Sequence, residues 1–395
     1  MSTIETSVAS AAARVSLHAG LRARALGLLA TQAVVRRLAL GDQVDFWLRE
    51  IDGALSVREG LTRVVAIHDE THDVKTFVLS PNAHWWSAGG TRAPSQSHRA
   101  GQFVTVGVEV HGVRTSRCYS LSSAPGARRV AITVKRARSQ AGTPGVVSSW
   151  LHDHVKVGDV LRLGPPGGDF VLPEAAPGKI LLLSGGSGVT PVMAILRDLA
   201  ARGAIRDVVF VHAARARRDV VFHRELEAMA SRHAGLRLAV VTEDTDGRLD
   251  EAKLRAAVPD LDARATWLCG PPGMMAALLP IWERAGMKGR LWTERFVADA
   301  MAAPPAGGAP ARVTLTLATS GRAMTAVGGA SLLEQLERGG ATPAYGCRMG
   351  ICNTCRCVKR AGVVEDMRTG ALSSEPDEEI RLCVSRARTD IELAL

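Results

Sequence analysis

Apolar and polar positions along this chain change period three times. Between residues 60 and 172 short alternating runs dominate, among them Val64 to Ile67, Val74 to Leu79, Phe103 to Val108 and Val130 to Val134. Alternation with period two puts one face of each segment inside, and a succession of such strands predicts a barrel. From residue 177 the apolar runs become continuous. Ile180-Leu181-Leu182-Leu183, Val208 to Val211 and Leu238 to Val241 take turns with helical stretches such as Val192 to Ala201. Strands apolar on both faces and separated by helices predict a parallel sheet of α/β type. After residue 312 alternation returns in Val313, Leu315 and Leu317, followed by a Ser320-Gly321 turn and a return strand from Ala323 to Val327. Ser331-Leu332-Leu333-Glu334 then reads as a capping box opening a short helix with Leu332, Leu333 and Leu336 inward, and Gly339-Gly340 ends it. Ile391, Leu393 and Leu395 alternate as a last strand, which makes this third part a small α+β unit.

At 395 residues the chain exceeds one ordinary hydrophobic core, in keeping with several domains. The expected divisions are an N-terminal helical extension at 1–56, a barrel at 57–174, the parallel-sheet domain at 175–299, a linker at 300–311 and the α+β domain at 312–395. The linker reading rests on the uncharged Ala-Ala-Pro-Pro-Ala-Gly-Gly-Ala-Pro-Ala of residues 302–311. Before residue 41 the chain carries Arg14, Arg22, Arg24, Arg36 and Arg37 against only Glu5, with apolar residues at helix-like intervals. A helix packed on the barrel, an interfacial helix on a membrane and an organellar transit peptide all remain open there.

The net charge of +10 adds little to this division. It suits plain solubility, and equally attraction to a phosphorylated cofactor, an acidic partner or an anionic membrane face. Aromatic residues are scarce and no basic stripe interleaves with them, which argues against nucleic acid. No run reaches the roughly 18–20 apolar residues of a membrane span, and the first residues lack a secretory signal pattern. The expectation is a soluble, cytoplasmic monomer, with peripheral contact at the inner membrane left open.

The cysteines carry chemistry. Cys347, Cys352 and Cys355 give the spacing C-x4-C-x2-C, and Cys383 follows after a strand-sized interval, which matches the plant-type [2Fe–2S] pattern. Two irons bridged by sulfide need two thiolates each, and Gly346 and Gly350 allow the loop to curl close and aim amide groups at sulfur. Zinc is the main alternative, but structural zinc usually pairs two short knuckles, whereas here the last cysteine stands alone. Cys357 reads as a small residue on a strand, and Cys118 has no assigned role. The element order from residue 312 to 395 resembles the β-grasp fold of plant-type ferredoxins.

Within the barrel, Arg117-Cys118-Tyr119-Ser120 resembles the R-x-Y-S flavin signature of the ferredoxin–NADP reductase superfamily. On a strand Arg117 and Tyr119 share a face, so a guanidinium can pair with a flavin phosphate while the phenol lies against the ring, and Ser120 can hydrogen-bond near N5. The resemblance implies that Thr133, Val134 and Lys135 line the flavin, and that Gly145-Val146-Val147-Ser148 opens a helix whose first amides hold phosphate. His152 and His154 are expected on the surface.

In the parallel-sheet part, Ser184-Gly185-Gly186-Ser187-Gly188-Val189-Thr190-Pro191 joins a buried strand to a helix, the setting in which backbone amides meet a pyrophosphate. The Rossmann fingerprint is absent, because Pro191 stands where the third glycine belongs. The turn is instead similar to that of ferredoxin reductases, which implies that Gly186 and Gly188 place the nucleotide, Thr190 approaches the flavin and Pro191 takes the first helical position. Arg215, Arg217 and Arg218 follow the second strand, where an adenosine ribose would lie, so NADPH is preferred and NADH stays open. Cys269-Gly270-Pro271 resembles the strand end that flanks nicotinamide C4, and Phe296 resembles a ring that shields the flavin.

Taken in order, these motifs resemble the ferredoxin reductase superfamily with a C-terminal ferredoxin domain, the arrangement of phthalate-dioxygenase-type reductases. The implied cofactors are FAD, with FMN open, a [2Fe–2S] cluster and NAD(P)H. Ser120, Thr190 and Cys269 are the implied catalytic set. The loop Gly346-Cys347-Arg348-Met349-Gly350-Ile351-Cys352, with Arg368-Thr369-Gly370 and Cys383-Val384-Ser385, is most similar to reductases that serve membrane acyl-CoA desaturases. The expected partner is therefore a protein electron acceptor, a desaturase first and a Rieske oxygenase or cytochrome P450 second.

Overall fold

A computed structural model describes residues 41–88, 98–110, 112–137, 144–296, 312–327, 329–346, 348, 350 and 354–395. Helix α1 (Gly41–Ile51) precedes strands β1 (Leu61–Thr71) and β2 (Val74–Pro81), and a short α2 (Ala83–Ala88) leads on to β3 (Phe103–Val110), β4 (Val113–Ser120) and β5 (Val130–Lys135). Helix α3 (Val146–His154) and β6 (Val160–Leu163) complete this part. Its six strands run antiparallel in the order β4-β3-β6-β1-β2-β5, and a bridge between Leu121 and Ile132 ties the two ends together. The alternation seen in the sequence therefore closes into a barrel, filled by Val64, Phe77, Leu79, Val104, Val106, Ile132 and Leu151.

The second part is a five-stranded parallel sheet of order β11-β10-β7-β8-β9. Its strands are β7 (Ile180–Gly185), β8 (Val208–Ala214), β9 (Leu236–Thr242), β10 (Ala265–Cys269) and β11 (Leu291–Glu294), connected through α4 (Val189–Ala201), α5 (His223–Arg232), α6 (Glu251–Ala257) and α7 (Pro272–Arg284). Ile180, Leu182, Phe210 and Trp267 face α4 and α5, and Leu181, Leu183, Val209 and Leu268 face α7, so both faces are buried and the strands lack polar alternation. Helix α4 begins at Val189, two residues earlier than a start at Pro191 requires. Proline is nevertheless tolerated there, because the first turn has no intrahelical acceptor for its missing N–H.

One core cluster joins the two parts, because Val74, Ala100, Phe170 and Leu172 pack with residues of α4 and the parallel sheet. Arg197 on α4 fixes the same junction. Its guanidinium holds Glu225 at 2.8 and 2.5 Å, donates to the Ser122 carbonyl at 2.5 Å and lies 4.7 Å from the ring centre of Phe222.

The third part has strands β12 (Arg312–Leu317) and β13 (Arg322–Val327), helix α8 (Leu332–Arg338), then β14 (Arg356–Ala361), β15 (Val364–Asp366), β16 (Leu372–Ser373), β17 (Glu378–Arg381), β18 (Ser385–Ala387) and β19 (Ile391–Leu393). The main sheet has the order β13-β12-β19-β14-β17 with β12 and β19 parallel, and a small sheet β16-β15-β18 stands beside it. Ser331 caps α8 by accepting from Glu334 N–H at 3.3 Å, as the capping box predicts. Leu332, Leu333 and Leu336 are buried in the core with Cys357, whose thiol donates to the Val358 carbonyl at 3.5 Å. Among the described residues no helix is long and apolar enough to cross a membrane.

Candidate functional site

Where barrel and parallel sheet meet, a cavity of about 710 Å³ opens. Arg117, Tyr119 and Ser120 reach it from β4, Thr133 and Lys135 from β5, Gly145, Val146, Val147 and Ser148 from the start of α3, Thr190 from α4, Arg215 from the end of β8, and Phe296 from beyond β11. All these sequence-selected residues converge. Val134 does not: its side chain points into the barrel core, as its odd place in the alternation of β5 dictates.

The donor set fits a flavin nucleotide. Gly145 precedes α3 and offers no side-chain cap, so among the described residues no cap occupies the first amides of the helix, and a Cβ there would stand 2.9 Å from both Ala137 Cβ and Ser148 Oγ. Arg117, beside this helix start, touches only the carbonyl of its neighbour Ser116 among the hydrogen bonds described, at 2.8 Å. Burial pushes the Tyr119 phenol up, which keeps it neutral and suited to lie against a ring. Thr133 Oγ1 lies 2.8 Å from Thr76 Oγ1 and donates to Ser122 Oγ at 3.0 Å, tying β5 to the segment that follows Ser120. Burial works against the Asp73 carboxylate, but Lys135 at 3.1 Å, with Thr71 and His72, together outweigh that and hold it below its usual range.

His152 is buried, contrary to expectation. It sits on the inner face of α3, where one ring nitrogen lies 2.8 Å from the Val134 carbonyl, while His154 stacks on Trp150. The pair diverges as helical i,i+2 residues must, so the two histidines share no site.

A second cavity, of about 520 Å³, lies over the carboxyl ends of β7, β8 and β9, the usual place for a ligand in such a sheet. Gly186, Ser187, Arg215, Pro271 and Met274 line it, with Arg248 and the carboxylates Asp219, Glu243 and Asp250. Of the three arginines after β8, Arg215 alone faces the cavity; Arg217 is exposed and pairs with Glu227 at 3.3 Å. Arg248, which the sequence reading passed over, comes from the loop after β9. Gly188 serves packing: a Cβ there would stand 2.2 Å from the Cys269 carbonyl oxygen and 2.8 Å from Gly270 N. The glycine turn thus lies directly on the Cys269-Gly270 strand end.

Beneath the junction of the two cavities lies a polar cluster. Ser120 Oγ donates to Glu294 Oε2 at 3.4 Å. Cys269 has no exposed surface, so a ligand reaches its thiol only if covering groups move; burial, and then the charge of Glu294, push its pKa well up. Glu294 keeps some surface open, yet protein atoms crowd its carboxyl, and this burial pushes its pKa up to about 8 against the opposing bond from Ser120. A carboxyl pushed toward its protonated form beside Ser120 is thus a candidate that the sequence reading passed over. One Glu at a strand end carries no periodic signal.

In the third part, Cys355 and Cys383 are both buried with their sulfurs 3.2 Å apart. That exceeds the roughly 2.05 Å of a disulfide and suits two ligands of one metal. Gly350, at φ +73°, donates its N–H to Cys383 Sγ at 3.2 Å, the amide-to-sulfur contact expected of the cysteine loop. Cys347 and Cys352 lie outside the described residues. Arg348 of the same loop stacks 4.0 Å over Tyr345 and pairs with Glu337 at 2.9 Å.

Comparison with known proteins agrees with this geometry. Residues 182–279 match the oxidoreductase NAD-binding domain, and residues 315–388 match the 2Fe-2S iron-sulfur cluster binding domain. The chain is 38% identical over 371 residues to an NADPH oxidoreductase of Mycobacterium tuberculosis, covering 93% of this chain and 92% of that one. It is 31% identical to the glycine betaine monooxygenase reductase subunit of Chromohalobacter salexigens, over 84% and 94% of the two chains. Among solved structures, the FAD/NAD-binding domain of a Vibrio cholerae nitric oxide dioxygenase matches at 30% identity and TM-score 0.52, covering 60% of this chain and 99% of that one. Phthalate dioxygenase reductase shares the fold at 23% identity and TM-score 0.55, over 88% and 99%.

Proposed function

Because the chain belongs to the ferredoxin–NAD(P)H reductase family, as a flavin- and NAD(P)H-dependent oxidoreductase with a C-terminal [2Fe–2S] domain, we propose that it draws electrons from NADPH and hands them singly to a separate iron-dependent, oxygen-activating protein. Bound FAD supplies hydride acceptance, and the cluster supplies one-electron release. The protein's own groups do the positioning. Arg117 and the first amides of α3 hold phosphate, Tyr119 and Thr133 fix the ring plane, and Ser120 and Glu294 supply a neutral polar pair where hydride arrives. Gly186 and Gly188 let the backbone approach the dinucleotide, and Arg215 with Arg248 favours a 2′-phosphate. Cys347, Cys352, Cys355 and Cys383 anchor the cluster.

The observation that carries this reading is the meeting of Cys355 and Cys383 at 3.2 Å in a domain fused to the two cavities. Two acceptor classes follow from different supports. Relatives that are reductase subunits of monooxygenases favour an oxygenase. The wording of the cysteine loop favours a membrane di-iron acyl-CoA desaturase. Purified protein should reduce both ferricyanide and cytochrome c with NADPH. Cys355→Ser should abolish cytochrome c reduction and spare that of ferricyanide; a variant that keeps both activities contradicts the relay. Pull-down with a desaturase and with an oxygenase component decides between the acceptors.

A further inference from the structure

The Gly350 N–H that meets Cys383 Sγ at 3.2 Å is held in place from outside the cysteine loop. A Cβ on Gly350 would stand 2.9 Å from Arg368 Nη1 and 2.9 Å from both methyls of Val384, so the glycine fills a slot between a guanidinium and the side chain that follows Cys383. Arg368 also donates from Nη1 to the Gly350 carbonyl at 3.4 Å. The guanidinium is itself anchored, since Nε donates to Asp366 Oδ1 at 3.0 Å and Nη2 to Asp366 Oδ2 at 2.6 Å. Burial works against the Asp366 carboxylate, but the side chain, N–H and charge of Arg368, with the N–H of Thr369, together outweigh that and hold it below its usual range. The turn that folds Arg368 back on Asp366 closes at Gly370, whose N–H donates to the Asp366 carbonyl at 2.8 Å. β15, which ends in Asp366, pairs with β18 so that Asp366 faces Ser385, and Met367 N–H donates to the Val384 carbonyl at 2.7 Å. Cys383, β15, Arg368 and Gly350 thus form a closed circuit that returns to the Cys383 sulfur.

We propose that Arg368 is a positioning residue, which raises the reduction potential of the cluster by holding the Gly350 amide against Cys383. The proposal rests on the reading of Cys383 as a cluster ligand. An amide that donates to a ligand sulfur stabilises the electron-rich state, so the potential depends on how firmly that amide is held. Gly350 holds itself poorly, because glycine has the freest backbone of all residues. Arg368 and Val384 supply the missing restraint. The side chains of Arg368 and Asp366 are only 22% and 28% exposed, which sets this pair apart from a solvated surface ion pair of little consequence. Asp366 also offsets the charge of the guanidinium, so what reaches the loop is chiefly geometry: one rigid plane with two nitrogens on the carboxylate and a third on Gly350. Arg368-Thr369-Gly370, a segment with no part in the flavin or nucleotide cavities, gains a task in this way.

The test is a redox titration of the flavin- and cluster-loaded full chain, with the reduced cluster followed by electron paramagnetic resonance. Iron and sulfide analysis of the wild type checks the ligand reading separately, since protein lacking both fails that reading before any variant is compared. Arg368→Ala should shift the ratio of reduced to oxidised cluster about tenfold toward oxidised at a given potential, which is about 59 mV for one electron. Arg368→Lys, the milder change should the alanine variant lose its cluster, keeps the charge without the fork and should shift the ratio about threefold the same way. Asp366→Ala separates geometry from charge: it removes an anion, so a field effect alone would raise the potential, whereas release of the arginine lowers it. Amide hydrogen exchange in peptides containing Gly350 should quicken in all three variants. An unchanged potential in both Arg368 variants overturns the proposal and leaves a purely structural ion pair. A potential raised in Asp366→Ala overturns it as well, in favour of charge.

Discussion

Replacing Glu294 with Gln should remove a pH dependence of stability that the wild type cannot avoid. The Glu294 carboxyl titrates near 4.5 when exposed and is pushed up to about 8 by burial. Between those values the folded chain holds a proton that the unfolded chain has released, so stability falls as pH rises through this window and is fully retained only below it. At about 1.36 kcal/mol per pKa unit, the loss between pH 5.5 and 8.5 is at most about 3 kcal/mol. The variant lacks this loss, and other titrating groups cancel in the difference between the two proteins. Urea melts followed by fluorescence of the Trp267–Trp292 pair, whose rings stack at 4.5 Å on the strands carrying Cys269 and Glu294, report the relevant domain. Wild type and variant with the same pH slope would show that the carboxyl is ionised in the fold, and the argument for a neutral polar pair beside Ser120 would collapse.

Gly188→Ala should destabilise the nicotinamide domain by about 3 kcal/mol, because its Cβ would meet backbone atoms of Cys269 and Gly270 that have no room to retreat; a melting shift under one degree would contradict the close approach. Arg215→Ala should raise the KM for NADPH about tenfold and leave that for NADH nearly unchanged, a split that steady-state kinetics reads directly. Arg197→Ala, which frees Glu225 and the Ser122 carbonyl together, should cost about 2 kcal/mol and slow flavin reduction more than it weakens dinucleotide binding, as stopped-flow absorbance would show. Cys357→Ser should retain the full iron and sulfide content, because that thiol donates to the Val358 carbonyl while Cys355 and Cys383 meet each other; loss of iron on analysis would make it a ligand.

Legibility in the sequence followed the physics of each signal. The barrel, the parallel sheet and the hairpin of the third domain were readable because period two, unbroken apolar runs and glycine turns are local and repeated. Arg117, Tyr119, Thr133, Lys135 and the Gly145 to Ser148 segment were readable as one site because they stand in motif order. Val134 was misplaced by taking a run of three together, although alternation alone separates its face from that of Thr133 and Lys135. His152 was misread because its partner, the Val134 carbonyl, belongs to β5, 18 residues earlier, and no local pattern announces such a backbone acceptor. Glu294 escaped for a related reason: its meaning comes from Ser120, which is 174 positions away. Pro191 fell two places inside α4 because preceding residues of the turn already adopt helical angles, as Gly188 and Val189 do.

Lys135, Ser187 and Arg215 border both cavities. A wall held in common makes occupancy of one chamber a variable in the free energy of filling the other, and thermodynamic reciprocity demands that the effect be equal in both directions. Titrations of dinucleotide on flavin-stripped protein should therefore return a different constant from titrations on loaded protein, and the dissociation constant of the flavin should change by the same factor when dinucleotide is present.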